Sequence, residues 1–160
     1  MTTANIETNH GKISFELLPD LAPETVRNFE KLTKDGFYDG TLFHRVIPGF
    51  MIQGGDPNTK DPSMKSQWGM GGPGYNVKAE FSSRSHLRGI VSMARAMDPD
   101  SAGSQFFIVT KDSTFLDREY TVFGEVNEGM DVADKIVNLQ KDQNDCPLED
   151  AKMLKVSISE

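Results

Sequence analysis

"FHRVIPGFMIQGGD", residues 43–56, is apolar and rich in β-forming residues, yet it carries a permanent charge at Arg45 and an amide at Gln53. Branched and aromatic side chains on either side of Pro48-Gly49 predict two short strands joined by a turn. Successive side chains point to opposite faces of a strand, so the length of that turn decides which residues share a face. A plain two-residue turn would set Arg45 opposite Ile52, facing away from Gln53. Pro-Gly favours type I or II turns, which match strand twist poorly, so a bulged or longer loop is expected. One extra residue brings Arg45, Met51 and Gln53 to one face.

The same alternation runs through the rest of the chain. Ile6 and Thr8, then Ile13, Phe15 and Leu17, recur at every second position around His10-Gly11 and predict a β-hairpin. "LFHRVI", "FMIQG", "GIVSMA", "QFFIVT", "TVFGEV" and "MLKVSIS" read as further short strands. Two helices are expected. In "APETVRNFEKLTKDGF", Pro23 suits a first turn, Val26, Phe29 and Leu32 share a face, and Gly36 can close the end. In "GMDVADKIVNLQK", Met130, Ala133, Ile136 and Val137 lie on one side. Many short strands and two helices suggest a barrel or sandwich with its ends covered. Residues 56–88, rich in Gly, Pro, Ser and Asn, read as a long ordered loop, a length that is unusual unless it serves a function.

Composition narrows the function. A chain of 160 residues fits one domain, spanning 1–160. Its net charge of −7 and lack of a basic run disfavour binding to nucleic acid or an anionic membrane surface. No apolar run approaches a membrane span, and "MTTANIETNHGK" lacks the pattern of a secretory signal. The single cysteine, Cys146, precludes an internal disulfide and fits a reducing compartment, so a cytoplasmic location is expected. Its acidic surroundings in "QNDCPLED" do not suit a nucleophilic thiol. His10, His44 and His86 show no ligand spacing, and no metal or other cofactor is expected. "GMGGPG" (69–74) matches a dinucleotide fingerprint in letters only, because Pro73 and an extended "YNVKAEF" follow where a helix is needed. A Ser-His-Asp triad is assembled in space, and no local motif supports one.

What remains is an apolar set with a few strong donors. Phe50, Met51, Phe106, Phe107, Phe115 and Leu116 accompany Arg45, Gln53, Arg95, Gln105 and Tyr120 across residues 43–56 and 89–126. Alternation alone puts the polar members on solvated strand faces. The turn at Pro48-Gly49 and the spacing of Gln105 and Phe107 in "GSQFFI" favour instead an apolar pocket with oriented donors.

"FHRVIPGFMIQGGD", "SMARAMDPDSAGSQFFI" and "FLDREYTVFGEV", in that order, resemble the cyclophilin family of peptidyl-prolyl cis/trans isomerases, and the resemblance extends over essentially the whole chain. It implies a mainly β fold: a closed eight-stranded antiparallel barrel capped by two α-helices, with the active site on the outer face. It also implies catalysis of rotation about X-Pro bonds, with proline-containing peptides and unfolded or partly folded proteins as partners. The family's catalytic arginine corresponds to Arg45. Its proline pocket corresponds to Phe50, Met51, Phe107 and Leu116, and its substrate-binding glutamines to Gln53 and Gln105. Ala94, Arg95 and Ala96 match the stretch whose backbone grips the residue before proline. Ala96 and Ser104 match the rim of a secondary pocket. Phe115, Tyr120 and Arg95 stand where many eukaryotic members have Trp, His and Asn, as in the single-domain prokaryotic branch. That Trp contacts cyclosporin in the family, so weak binding of the drug is expected. A binding module or chaperone that uses the pocket without catalysis is the alternative, and a monomer is expected.

Overall fold

The alternation at residues 6–17 produces the expected hairpin in the computed structural model, which describes residues 1–160. Strands β1 (Thr3–Thr8) and β2 (Gly11–Leu17) pair antiparallel with Ile6 opposite Ile13. The turn residues are Asn9 and His10 rather than His10 and Gly11. Gly11, with φ +131, opens β2, and a Cβ there would lie 2.7 Å from Val132.

The helix α1 (Pro23–Lys34) begins at the expected proline, and Gly36 follows it with φ +73. Val26, Phe29 and Leu32 enter the core. Strands β3 (Phe43–Ile47) and β4 (Met51–Gly54) are joined by the three residues Pro48, Gly49 and Phe50, with Phe50 N–H donating to the Ile47 carbonyl at 3.0 Å. That loop contains the extra residue inferred from the Pro-Gly chemistry. Arg45 stands directly opposite Gln53, and Ile47 opposite Met51. Strands β5 (Ile90–Met93), β6 (Phe106–Val109), β7 (Val122–Glu128) and β8 (Met153–Ser159) and the helix α2 (Met130–Val137) follow. Between β4 and β5, the long loop contains two 3-10 turns, Pro57–Lys60 and Pro62–Gln67. Asp56 and Asp61 cap them by accepting from the Asn58 and Ser63 N–H groups.

All eight strands are antiparallel in the order β3-β4-β6-β5-β7-β2-β1-β8. The barrel is not fully closed, which corrects the expectation of a closed one. β3 and β8 are the two edges, and only the segment leading into them is stitched. Gly40 N–H donates to the Met153 carbonyl (2.7 Å), and Met153 N–H to that of Thr41 (2.8 Å). Phe43 N–H donates to the Ala151 carbonyl (2.8 Å). Beyond a bulge at His44, Val46 N–H turns to the Asp145 carbonyl instead, so β3 and β8 diverge.

Each strand sorts its side chains between the two faces of this curled sheet. The inner face holds the main core, in which Phe29 and Phe106 pack edge to face at 5.7 Å and Phe15 and Phe123 at 6.0 Å. The helices α1 and α2 bury their apolar sides against it. The outer face holds a smaller cluster of Met51, Ile90, Phe107, Val109, Leu116 and Val122. Phe106 and Phe107 are thus neighbours in sequence and belong to different cores.

Candidate active site

The polar residues of β3 and β4 do not lie loose on a wet surface. Arg45 Nη1 donates to Gln53 Oε1 at 3.2 Å, and Gln53 Nε2 donates to Gln105 Oε1 at 3.0 Å. Gln105 Nε2 then donates to the carbonyls of Gly69 (3.0 Å) and Gly71 (2.9 Å). The fully buried carboxylate of Asp56 holds that glycine loop by accepting from Gly69 N–H. Because backbone carbonyls can only accept, they fix which way each amide points along the row. The guanidinium at its end is oriented by a neutral amide, and most of its donors remain open.

Beside Arg45 lies a hollow of about 160 Å³ lined by Arg45, Phe50, Met51, Gln53, Ala94, Arg95, Phe107, Leu116 and Tyr120. An apolar cavity of roughly 150 Å³ admits a benzene ring, so a pyrrolidine ring has room. Met51, Phe107 and Leu116 are buried and form its floor, and Phe107 meets Tyr120 edge to face at 5.8 Å. The 3-10 turn Thr114–Leu116 turns Leu116 inward and leaves Phe115 68% exposed on the rim, packed on Phe50 at 5.5 Å. Arg118 follows at φ +65, a left-handed conformation for a non-glycine residue, in the loop that delivers Tyr120 to the wall.

A second hollow of about 520 Å³ adjoins the first through Gln53, Ala94 and Arg95, and is further lined by Ala96, Ser104, Gln105 and the 69–76 loop. Ser104 sits at its base with its hydroxyl bonded to the Gly55 carbonyl at 2.8 Å. Between the hollows, the N–H and carbonyl of Arg95 make no hydrogen bond within the chain. An extended peptide could pair with them as with a strand edge. A third hollow, of about 440 Å³, lies on the other flank of Arg45. It is lined by His44, Lys65, Trp68 and Cys146 among others, so Trp68 is remote from the rim position of Phe115.

The residues expected at the site therefore come together, with Phe115 at the edge and the others lining the first two hollows. Sequence reasoning missed what lies beneath them. His86, with its side chain fully buried, stacks on Phe107 at 6.1 Å and 18°. Its Nδ1 is 3.2 Å from Asp117 Oδ1 and its Nε2 3.0 Å from Ser92 Oγ, which is also 2.9 Å from the Thr121 carbonyl. An Asp-His-Ser chain does exist, but Ser92 is fully buried and unavailable for nucleophilic attack. It props the pocket floor. The available signal was Ser92 itself, a polar residue at an outward position on β5 facing Phe107.

Burial pushes the His86 imidazole below the usual histidine range, with Asp117 opposing only in part. Burial likewise lowers His44, whose Nδ1 has no partner. The Ser85 hydroxyl, followed by the His86 main chain and ring, holds Asp117 below the usual carboxylate range. The unfolded chain takes up protons on these histidines near pH about 6.5, where the folded chain resists. Their contribution to stability is therefore complete above that pH and is lost on acidification toward the folded values. Asp117 adds to the loss below about pH 4. The expected slope is up to about 1.4 kcal/mol per pH unit for each histidine. Calorimetry at constant ionic strength should show Tm falling from pH 7.5 to 5, less steeply for His86→Gln. A native Tm that is flat or rises contradicts the assignment.

Comparison with known proteins places these features in a family. The model of the cyclophilin type peptidyl-prolyl cis-trans isomerases matches residues 3–158. A probable peptidyl-prolyl cis-trans isomerase of Brucella suis is 42% identical over 160 residues, which cover 98% of this chain and 82% of the relative. Peptidyl-prolyl cis-trans isomerase B of Bacillus subtilis is 49% identical over 129 residues, 79% of this chain and 84% of the relative. A cyclophilin type isomerase of Cryptosporidium parvum, whose structure was determined in the presence of the dipeptide Ala-Pro, superposes with a TM-score of 0.89 at 33% identity, covering 99% of both chains. With an arginine beside a ring-sized hollow on the outer face of an eight-stranded sheet, and with the family model matched from residue 3 to residue 158, the chain belongs to the cyclophilin-type peptidyl-prolyl cis-trans isomerases.

Proposed function

We propose that Arg45 acts as the working donor for rotation about X-Pro bonds, with the surrounding hollow as a clamp on the proline ring. Resonance stiffens a peptide C–N bond to a barrier of ~18–20 kcal/mol. The two X-Pro isomers differ by only about 0.5–1 kcal/mol yet exchange over tens to hundreds of seconds. No covalent bond needs to break. Midway through rotation the prolyl nitrogen regains its lone pair and becomes pyramidal. Arg45 can donate to that nitrogen, while the planar ground state offers it little, so the interaction favours the transition state selectively. The low dielectric of Phe50, Met51, Phe107 and Leu116 strengthens it.

Gln53, Ala94 and the open main-chain groups of Arg95 hold the preceding residues, with Ala96, Ser104 and Gln105 shaping the upstream hollow. Rotation then proceeds against a fixed half. A 10⁵-fold gain needs only about 7 kcal/mol from all these contacts together. The observation that carries this reading is the Arg45–Gln53–Gln105 row ending at the pocket. The dipeptide used with the Cryptosporidium parvum relative supports proline peptides as ligands. The direct test follows a cis-proline tetrapeptide by NMR or a coupled protease. Acceleration proportional to protein concentration is expected, and a rate equal to the blank refutes the proposal.

Residues 1–160 act in this reading as one isomerase domain. A monomer is supported by the burial of both helix faces in the chain's own core, and a cytoplasmic setting by the free thiol of Cys146. Phe115 has no indole N–H to offer at the exposed rim, and Trp68 lines a different hollow. Cyclosporin should therefore bind with a micromolar or weaker Kd in a calorimetric titration. Nanomolar affinity contradicts this.

A further inference from the structure

Arg27, Arg84 and Arg88 each pair with a carboxylate, Glu24, Glu125 and Asp134 respectively. Arg45 and Arg95 do not, and they are the only charged residues lining the proline hollow. Arg95 is also the only charged residue lining the larger upstream hollow. In a chain of net charge −7, this groove is locally positive.

Arg95 is held in a defined pose. Its Nε donates to the Glu119 carbonyl at 2.9 Å, and its Nη1 to the carbonyls of Ala96 (2.9 Å) and Met97 (3.2 Å). The guanidinium carbon lies 4.6 Å from the Tyr120 ring centre. These contacts satisfy donors without neutralising the charge, and they leave Nη2 without a bond. The acids of the 98–100 loop accept main-chain hydrogen bonds, Asp98 from Asp100 N–H and Asp100 from Ala79 N–H, Glu119 meets Arg95 through its main-chain carbonyl, and none of the three forms a salt bridge with the guanidinium.

We propose that Arg95 is a specificity-determining residue that favours substrates with an acidic side chain, Glu or Asp, immediately before the proline. This rests on the isomerase reading above, because the main chain of Arg95 is where that preceding residue lies in it. An acidic side chain there meets an oriented, uncompensated guanidinium at the junction of the two hollows. Since the group is partly solvated, the preference is modest and salt-sensitive.

The test compares kcat/KM for peptides with Glu, Gln or Lys before proline. In the native protein at low salt the Glu/Gln ratio should be about two- to fivefold, as expected of an exposed ion pair, with Lys the poorest of the three. The ratio should approach one in about 0.5 M salt, where charges are screened within a few ångströms. Arg95→Gln should abolish the ratio, and Arg95→Lys should retain it, with circular dichroism confirming folding. A Glu/Gln ratio of one or less in the native protein overturns the proposal, as does a ratio that survives Arg95→Gln or high salt. If no peptide is accelerated at all, it is the isomerase reading that fails.

Discussion

Replacing Arg45 by Ala should lower kcat by about 10²–10³, the range seen when one oriented transition-state donor is removed elsewhere. The fold should survive, because Arg45 is a half-buried residue of the outer sheet face outside both hydrophobic clusters. Its cost in stability should stay below about 1 kcal/mol, as for other substitutions away from the core. Arg45→Lys keeps a charge but loses the planar fork that both contacts Gln53 and reaches the nitrogen, so most of the rate should still be lost. Gln53→Ala should have a smaller effect, since it frees the guanidinium to wander without removing it. Steady-state assays with a proline tetrapeptide, alongside circular dichroism, check the series. Native-like activity in Arg45→Ala would assign the chemistry to the clamp alone.

The second large effect separates two neighbouring residues. Phe106 lies among Phe15, Phe29, Tyr38, Phe43 and Phe123 in the inner core. Phe107 faces outward onto His86 and Tyr120. Phe106→Ala should cost about 3–5 kcal/mol of stability through the cavity it leaves. The fraction that remains folded should keep kcat/KM within roughly threefold, because no pocket wall is touched. Phe107→Ala should lose about 2–4 kcal/mol, its site being able to relax toward solvent. It should also lose at least about tenfold in kcat/KM, because the ring is no longer held. Urea denaturation combined with assays at low denaturant distinguishes the two. Equal activity losses would mean that the two faces of the sheet are not independent.

Phe106 and Phe107 stand together in the apolar set that the sequence offers, and only the curl of the sheet assigns them to different cores, whereas the strands themselves are legible. The period-two pattern of Ile6, Thr8, Ile13, Phe15 and Leu17 is sufficient for β1 and β2, and Pro23 with Gly36 bounds α1. The facing of Arg45 and Gln53 follows from turn chemistry at Pro48-Gly49. Barrel closure was not legible, because the seam between β3 and β8 depends on a bulge at His44 and on pairing across about a hundred residues. The 3-10 turns after Asp56 and Asp61 were hidden in a stretch with no hydrophobic period. The His86–Ser92–Asp117 prop was invisible for a similar reason. Its members sit on separate segments and meet only once β5, β6 and the 117–120 loop have stacked. Local pattern specifies strands and turns, whereas contacts between distant segments depend on how the sheet curls.

The central claim is that Arg45 acts on the twisted amide and hardly at all on the planar one. Line-shape or exchange NMR of a proline peptide titrated with the protein yields both the dissociation constant and the interconversion rate of bound peptide. For Arg45→Ala the expected result is a Kd within about threefold of the native value and on-enzyme exchange slowed by about a hundredfold or more. A weakened Kd with on-enzyme exchange as fast as in the native protein would contradict it.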